Sequence, residues 1–160
     1  MKTENLVVNA LIAAIYAALT IALAPFSYGP VQVRISECMT LLAFVNPRWV
    51  PGLTIGCLLA NLLSPFGMLD IIVGTLATFI AVYLMRYAPN MLVASLSPVI
   101  VNGLLIGAEL AYLGAIPPDM SIAAMMLYIG AGEFISVSII GILVMKLVLR
   151  NQYMRKHLLA

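Results

Sequence analysis

Apolar residues dominate this chain in long runs, broken at intervals by proline, glycine and a few charges. The breaks divide it into six predicted helices over about 6–24, 36–46, 52–64, 70–86, 91–113 and 122–149. Pro25 stops the first. The segment Phe26 to Ile35, which carries Gly29-Pro30 and β-branched residues, predicts a loop that is partly extended. Pro47, Arg48, Trp49, Val50 and Pro51 predict a tight turn, Ser64-Pro65-Phe66-Gly67 a clear breaker, and Ala88-Pro89-Asn90 and Pro117-Pro118 further turns. Pro98 predicts a bend within the fifth helix. A membrane-spanning helix needs about 20 apolar residues, so the second and third helices are short for a crossing and must tilt or use flanking residues. A re-entrant pair there would put Arg86 and the basic tail outside, against the rule that Lys and Arg mark the cytoplasmic side. The expectation is therefore an all-α integral membrane protein with six transmembrane helices and both termini cytoplasmic.

Composition sharpens this picture. The chain is 64% hydrophobic and only 9% charged over 160 residues, and its mean hydropathy is +1.12. Six spans use nearly all of it, which predicts a single membrane domain over 1–160 with no room for a soluble catalytic module. The first apolar run is longer than a signal-peptide core and lacks a clear cleavage site, so a retained helix is expected. Cys38 and Cys57 fall within predicted spans and read as free buried thiols.

Charge gives direction. Under the six-span reading, Lys2, Arg48, Arg86, Lys146, Arg150, Arg155 and Lys156 share the cytoplasmic face. Glu37, Asp70, Glu109, Asp119 and Glu133 lie at or toward the outer face, joined by Arg34. The basic tail reads as a topology and lipid-surface signal, with no case for nucleic-acid binding. Carboxylates in apolar helices are costly and usually functional, so the expectation is an outward-facing acidic pocket.

Particular residues can be weighed one by one. Glu133 falls about 16 Å into its helix by the helical rise; a charge that deep must be protonated, paired or ligand-bound. Gly130, Glu133, Val137 and Gly141 form one stripe, and Asn102, Ile106 and Glu109 share a face of the fifth helix. Glu37 and Asp70 stand at helix starts, where free N–H groups alone favour an acid, and Arg34 can simply pair with Glu37. Asn61 aligns with Cys57 and Ser64 and can serve as interhelical glue or as a ligand contact. Tyr28, Tyr112 and Tyr128 read as interfacial belt residues, one of which could stack on a flat ligand, and Trp49 with Arg48 as a cytoplasmic anchor. Ala10, Ala14 and Ala18 form AxxxAxxxA on the first helix, with Ala13 and Ala17 nearby and Asn9 and Tyr16 beside them. That stripe permits close helix approach, either within the protein or to another subunit.

Catalysis has little support. The single histidine, His157, lies in the basic tail, and there is no His/Cys metal cluster, nucleophile-base set or phosphate-binding loop. No cofactor is expected. An acceptor-rich pocket suits a donor-rich or cationic ligand: a carboxylate takes two parallel N–H bonds from an amidine-like edge such as that of guanine, and a second carboxylate takes an alkylammonium.

The alanine-rich first helix in a short six-helix chain resembles the substrate-binding S component of an energy-coupling factor (ECF) transporter. The segments YGPVQVRISECMTLLAF, WVPGLTIGCLLANLLSPFG and LDIIVGTLATFIAVYLMR resemble the queuosine-precursor transporter family, QueT. The resemblance covers essentially the whole chain. It implies a protein of the bacterial cell membrane that binds a 7-deazaguanine such as preQ1, preQ0 or queuine on the outside. It further implies a transmembrane coupling subunit and two ABC ATPases as partners, with Ala10, Ala14 and Ala18 docking on the coupling subunit. Glu133, Glu109 or Asp70 would take the guanine-like edge, Glu37 the ammonium of preQ1, and Asn61 and Asn102 further hydrogen bonds, while the Arg34 loop closes over the site. The alternatives are an S component for thiamine or riboflavin, a standalone proton-coupled carrier using Glu133, and a membrane scaffold.

Overall fold

The computed structural model describes residues 3–28 and 33–159. Gly29, Pro30, Val31 and Gln32 of the predicted loop, and Lys2 of the cytoplasmic charge set, lie outside the described residues. The regular elements among the described residues are all helical. They are α1 (Thr3–Ala22), a four-residue turn (Ala24–Ser27), α2 (Ile35–Val45), α3 (Val50–Asn61), α4 (Met68–Leu84), α5 (Met91–Tyr112), α6 (Ile122–Arg150) and α7 (Gln152–Leu159).

Helices α1, α4 (with its last turn, to Tyr87), α5 and α6 are long and apolar enough to cross a membrane. Helix α2 is shorter, and the 12 residues of α3 rise only about 18 Å against a hydrocarbon core of roughly 30 Å. Local chemistry explains the ends. Pro51 sits in the first turn of α3, where its missing N–H costs nothing. Asn90 and Ser121 cap α5 and α6 by accepting hydrogen bonds from Val93 N and Ala124 N. Helix α5 continues through Pro98. Gly67, at φ 72°, turns the chain into α4.

Two segments expected as ordinary α-helix are not. Ile35–Leu41 of α2 is a 3-10 helix, and Phe134–Gly141, in the middle of α6, is a π-helix. They pack on each other, and the contact explains Gly141: a Cβ there would lie 3.2 Å from the Cys38 backbone. Tight and wide helical windings change which side chains face inward, and π segments gather at functional sites. Here they follow Arg34 and Glu133 directly.

The helices neighbour one another in the order α1, α3, α4, α5, α6 and α2, and α2 returns to α1. Close approach of α1 and α3 depends on Gly56, whose added Cβ would lie 3.0 Å from Ala13 Cα. Asn9 reinforces it: its Oδ1 accepts from Gly52 N at 2.7 Å, and its Nδ2 donates to Arg48 O at 3.1 Å. The alanines of α1 divide between two faces. Ala13 and Ala17 are buried with Asn9 and Tyr16, whereas Ala10, Ala14 and Ala18 are exposed.

The basic tail is also more ordered than a charge signal requires. Residues Gln152–Leu159 form α7, and Leu158 is buried in the same apolar cluster as Trp49. Trp49 Nε1 donates to Leu158 O at 3.1 Å. Trp49 is therefore a core residue at 1% exposure, not an interfacial anchor; its indole N–H finds a backbone acceptor and its ring fills the corner between α3 and the tail.

Candidate functional site

Each helix of the ring sends at least one buried polar side chain inward. Tyr16 comes from α1, Glu37 from α2, Cys57 and Asn61 from α3, Asp70 and Thr78 from α4, Asn102 and Glu109 from α5, and Glu133 and Ser136 from α6. Arg34, at the entrance to α2, is buried with them. Local periodicity puts them there. Cys57 and Asn61 are one helical turn apart, and Asp70, Gly74 and Thr78 succeed one another at four-residue intervals on one face.

One part of this cluster is built around Arg34. Its guanidinium stands 4.0 Å from Asp70 Oδ2, 3.8 Å from Cys57 Sγ and 5.3 Å above the Tyr28 ring. The ion pair is thus with Asp70, where the sequence suggested Glu37. Asn61 Nδ2 donates to Asp70 O at 3.2 Å and to Cys57 Sγ at 3.4 Å. Cys57 Sγ lies 3.2 Å from Thr78 Oγ1. Tyr28 turns inward, its hydroxyl donating to Ala60 O at 2.7 Å. Burial of the ring raises the phenol above its ordinary value, which keeps that donor protonated. Tyr112 and Tyr128 are exposed, as belt residues are.

Glu37 anchors the second part. Its Oε1 accepts from the Tyr16 hydroxyl and, at 3.4 Å, from Thr78 Oγ1. The third part joins α5 to α6, where Asn102 Nδ2 donates to Glu133 Oε1 at 2.8 Å. Glu133 lies within electrostatic reach of Glu37 and Arg34, and Glu109 of Asp70 and Arg34, so the parts form one charge system.

What remains unpaired defines the chemistry. Among the described residues, the buried side-chain atoms without a hydrogen-bond partner include seven acceptors in this cluster: Glu37 Oε2, Asn61 Oδ1, Asp70 Oδ2, Asn102 Oδ1, both Glu109 oxygens and Glu133 Oε2. Against them stand two groups able to donate, Arg34 Nε and the Ser136 hydroxyl, which can also accept. An unsatisfied buried polar group costs about 1–3 kcal/mol. Such a concentration calls for a partner rich in N–H or O–H donors. Among the described residues no three His, Cys, Asp or Glu side chains are grouped to hold a metal ion. By contrast, an open groove of about 630 Å3 between α5 and α6 is lined by Val99, Ile100, Leu104, Leu127 and Phe134 among others, and carries almost no polar surface to orient a hydrogen-bonding ligand.

All seven residues singled out from the sequence, Arg34, Glu37, Asn61, Asp70, Asn102, Glu109 and Glu133, are buried in this region. Tyr16, Cys57 and Thr78 were missed as contributors. A signal for Tyr16 did exist: Asn9, Tyr16 and Thr20 repeat at intervals of seven and four on the face opposite the exposed alanines.

These features define a multi-pass membrane protein with a buried, acceptor-rich polar centre. The QueT transporter family model matches residues 6–150, and the chain belongs to that family. Over 81 residues it is 43% identical to the queuosine precursor transporter QueT of Lactococcus lactis subsp. cremoris (strain MG1363). That alignment covers 49% of this chain and 47% of the relative, so it spans about half the relative's length. No solved structure matches the chain.

Proposed function

We propose that the chain is the substrate-binding S component of an ECF-type importer and that it takes up a 7-deazaguanine queuosine precursor. The observation that carries this reading is the surplus of unpaired buried acceptors over donors in the polar centre. Family membership and the name of the L. lactis relative support the same substrate class. The acceptors divide into two kinds. Asn102 spends its amide on Glu133, which leaves Asn102 Oδ1 and Glu133 Oε2 free on one joined pair. Two neighbouring acceptors suit the N1–H and 2-amino edge of a guanine-like ring. Glu109, both of whose oxygens are free, is a second candidate for that edge. Glu37 keeps one free oxygen and suits the single ammonium of an aminomethyl substituent. Asp70 Oδ2 faces Arg34, and Asn61 ties the C-terminal end of α3 to Asp70 O, its free Oδ1 adding an acceptor.

In this reading the chain is a single membrane domain over 1–160 that crosses the bilayer six times, with cytoplasmic termini and the polar centre open to the outside. Helices α2 and α3 cross by tilting and by using their flanking turns. The protein is no enzyme; ATP is hydrolysed by two ABC ATPases, and Ala10, Ala14 and Ala18 dock on a transmembrane coupling subunit. Their exposure on α1 supports that use, because small residues let a second helix approach closely in lipid. Bacterial cell membranes are the expected location.

Reconstitution in lipid vesicles tests the assignment. Uptake of labelled preQ1 should require the coupling subunit, the ATPases and ATP. Uptake by the chain alone, driven by a proton gradient, would replace this reading with a proton-coupled carrier.

A further inference from the structure

The acid that faces the ammonium in this scheme is held by a side chain that neither composition nor motif singled out. Tyr16 is fully buried on α1, and its hydroxyl donates to Glu37 Oε1. Thr78 Oγ1 reaches the same oxygen from α4 at 3.4 Å. Both donors fall on one oxygen, and Glu37 Oε2 is left buried without a partner. A carboxylate gripped on one side can turn only its other side to a ligand.

The backbone around this grip is fixed as well. One turn further along α1, Thr20 Oγ1 lies 2.6 Å from Ser36 Oγ and donates to Tyr16 O at 2.9 Å. Helix α1 is thus tied to two consecutive residues of the 3-10 segment, Ser36 and Glu37. On the other side, a Cβ on Gly56 of α3 would lie 2.8 Å from Tyr16 Cβ, so it is the glycine that lets α3 pack this closely against the tyrosine.

We propose that Tyr16 is a positioning residue that aims the free oxygen of Glu37 at an aliphatic ammonium, and so sets the preference for an aminomethyl over a nitrile deazaguanine. This inference rests on the substrate class proposed above. A nitrile carries no charge and no N–H, and gains nothing from an aimed carboxylate; an alkylammonium gains a charge-assisted hydrogen bond whose strength depends on direction. Hydroxyl removal at Tyr16 keeps the ring volume but frees the carboxylate to rotate toward Arg34, which lies within electrostatic reach of Glu37.

The experiment is calorimetric titration of the full chain with preQ1 and preQ0, comparing wild type with Tyr16→Phe. The expected result is a wild type that prefers preQ1 and a variant in which the ratio of the two affinities falls by about tenfold, the loss of a charged hydrogen bond. Thr78→Val should lower the ratio less, because its bond to Glu37 is longer. Equal weakening of both ligands in Tyr16→Phe, with the ratio unchanged, would mean a merely structural role and overturn the proposal. So would an unaltered ratio with unaltered affinities, or a wild type indifferent to the two ligands. If Tyr16→Phe does not fold, Glu37→Gln serves, because glutamine keeps an oxygen for Tyr16 and removes the charge; a preserved preference for preQ1 there would overturn the proposal. Binding of neither ligand by folded wild-type protein is a different outcome, which removes the substrate reading and this inference with it.

Discussion

Glu133→Gln should weaken binding of a 7-deazaguanine roughly ten- to hundredfold, since hydrogen bonds to charged groups contribute about 1.5–3 kcal/mol. The fold has no reason to fail. Asn102 Nδ2 donates to Glu133 Oε1 at 2.8 Å, and a glutamine can offer its amide oxygen to that same donor. Its NH2 then takes the place of Oε2, which has no partner within the protein. The ligand's N–H edge would meet a donor instead of an acceptor, losing one hydrogen bond and leaving two donors opposed. Titration of the purified variant checks this, with thermal melting to establish that it is folded. Unchanged affinity would take Glu133 out of the binding site and shift the guanine-like edge to Glu109.

Ala14→Trp should reduce uptake by at least about tenfold, which corresponds to some 1.4 kcal/mol of lost docking, while leaving ligand binding by the isolated chain intact. Ala14 is exposed in the middle of α1, between Ala10 and Ala18. The inward face of the same turns is occupied by Ala13, Tyr16 and Ala17. An indole at position 14 therefore points away from the polar centre and holds a partner helix at a distance. The two readouts separate the two uses of a small-residue stripe. Lost uptake with intact binding is the signature of a docking face; lost binding in the isolated chain would return the stripe to internal packing.

Much of the helical layout was legible because the bilayer imposes simple rules. The predicted segments 6–24, 70–86, 91–113 and 122–149 correspond to the four long apolar helices, shifted by a few residues at their ends. Proline and glycine fixed the breaks, and carboxylates in apolar surroundings drew attention to Glu37, Asp70, Glu109 and Glu133. The departures arise where tertiary contact overrides local pattern. Nothing in Ile35–Leu41 or Phe134–Gly141 announces a 3-10 or a π winding; the two segments pack on each other, with Gly141 in close approach to Cys38. Trp49 beside a cytoplasmic turn has the sequence context of an interfacial anchor, and its burial depends on α7 folding back over it. Tyr16 was hidden by its neighbours. Among so many alanines it looked like the border of a packing stripe, and only the return of the next helix, α2, against α1 puts an acid against its hydroxyl.

The site was legible by residue type but not by pairing. Arg34 and Glu37 stand one helical turn apart in sequence, yet Arg34 pairs with Asp70, from a different helix. Partnerships between helices depend on how the ring closes, and periodicity within one helix carries no information about that.

The most direct test of the central claim is calorimetric titration of the purified chain, without partners, against preQ1, preQ0, queuine and guanine, with thiamine and riboflavin alongside. The acceptor-rich centre predicts tight and selective binding of a deazaguanine. Binding of thiamine or riboflavin in preference to every deazaguanine, or of no compound by demonstrably folded protein, would contradict it.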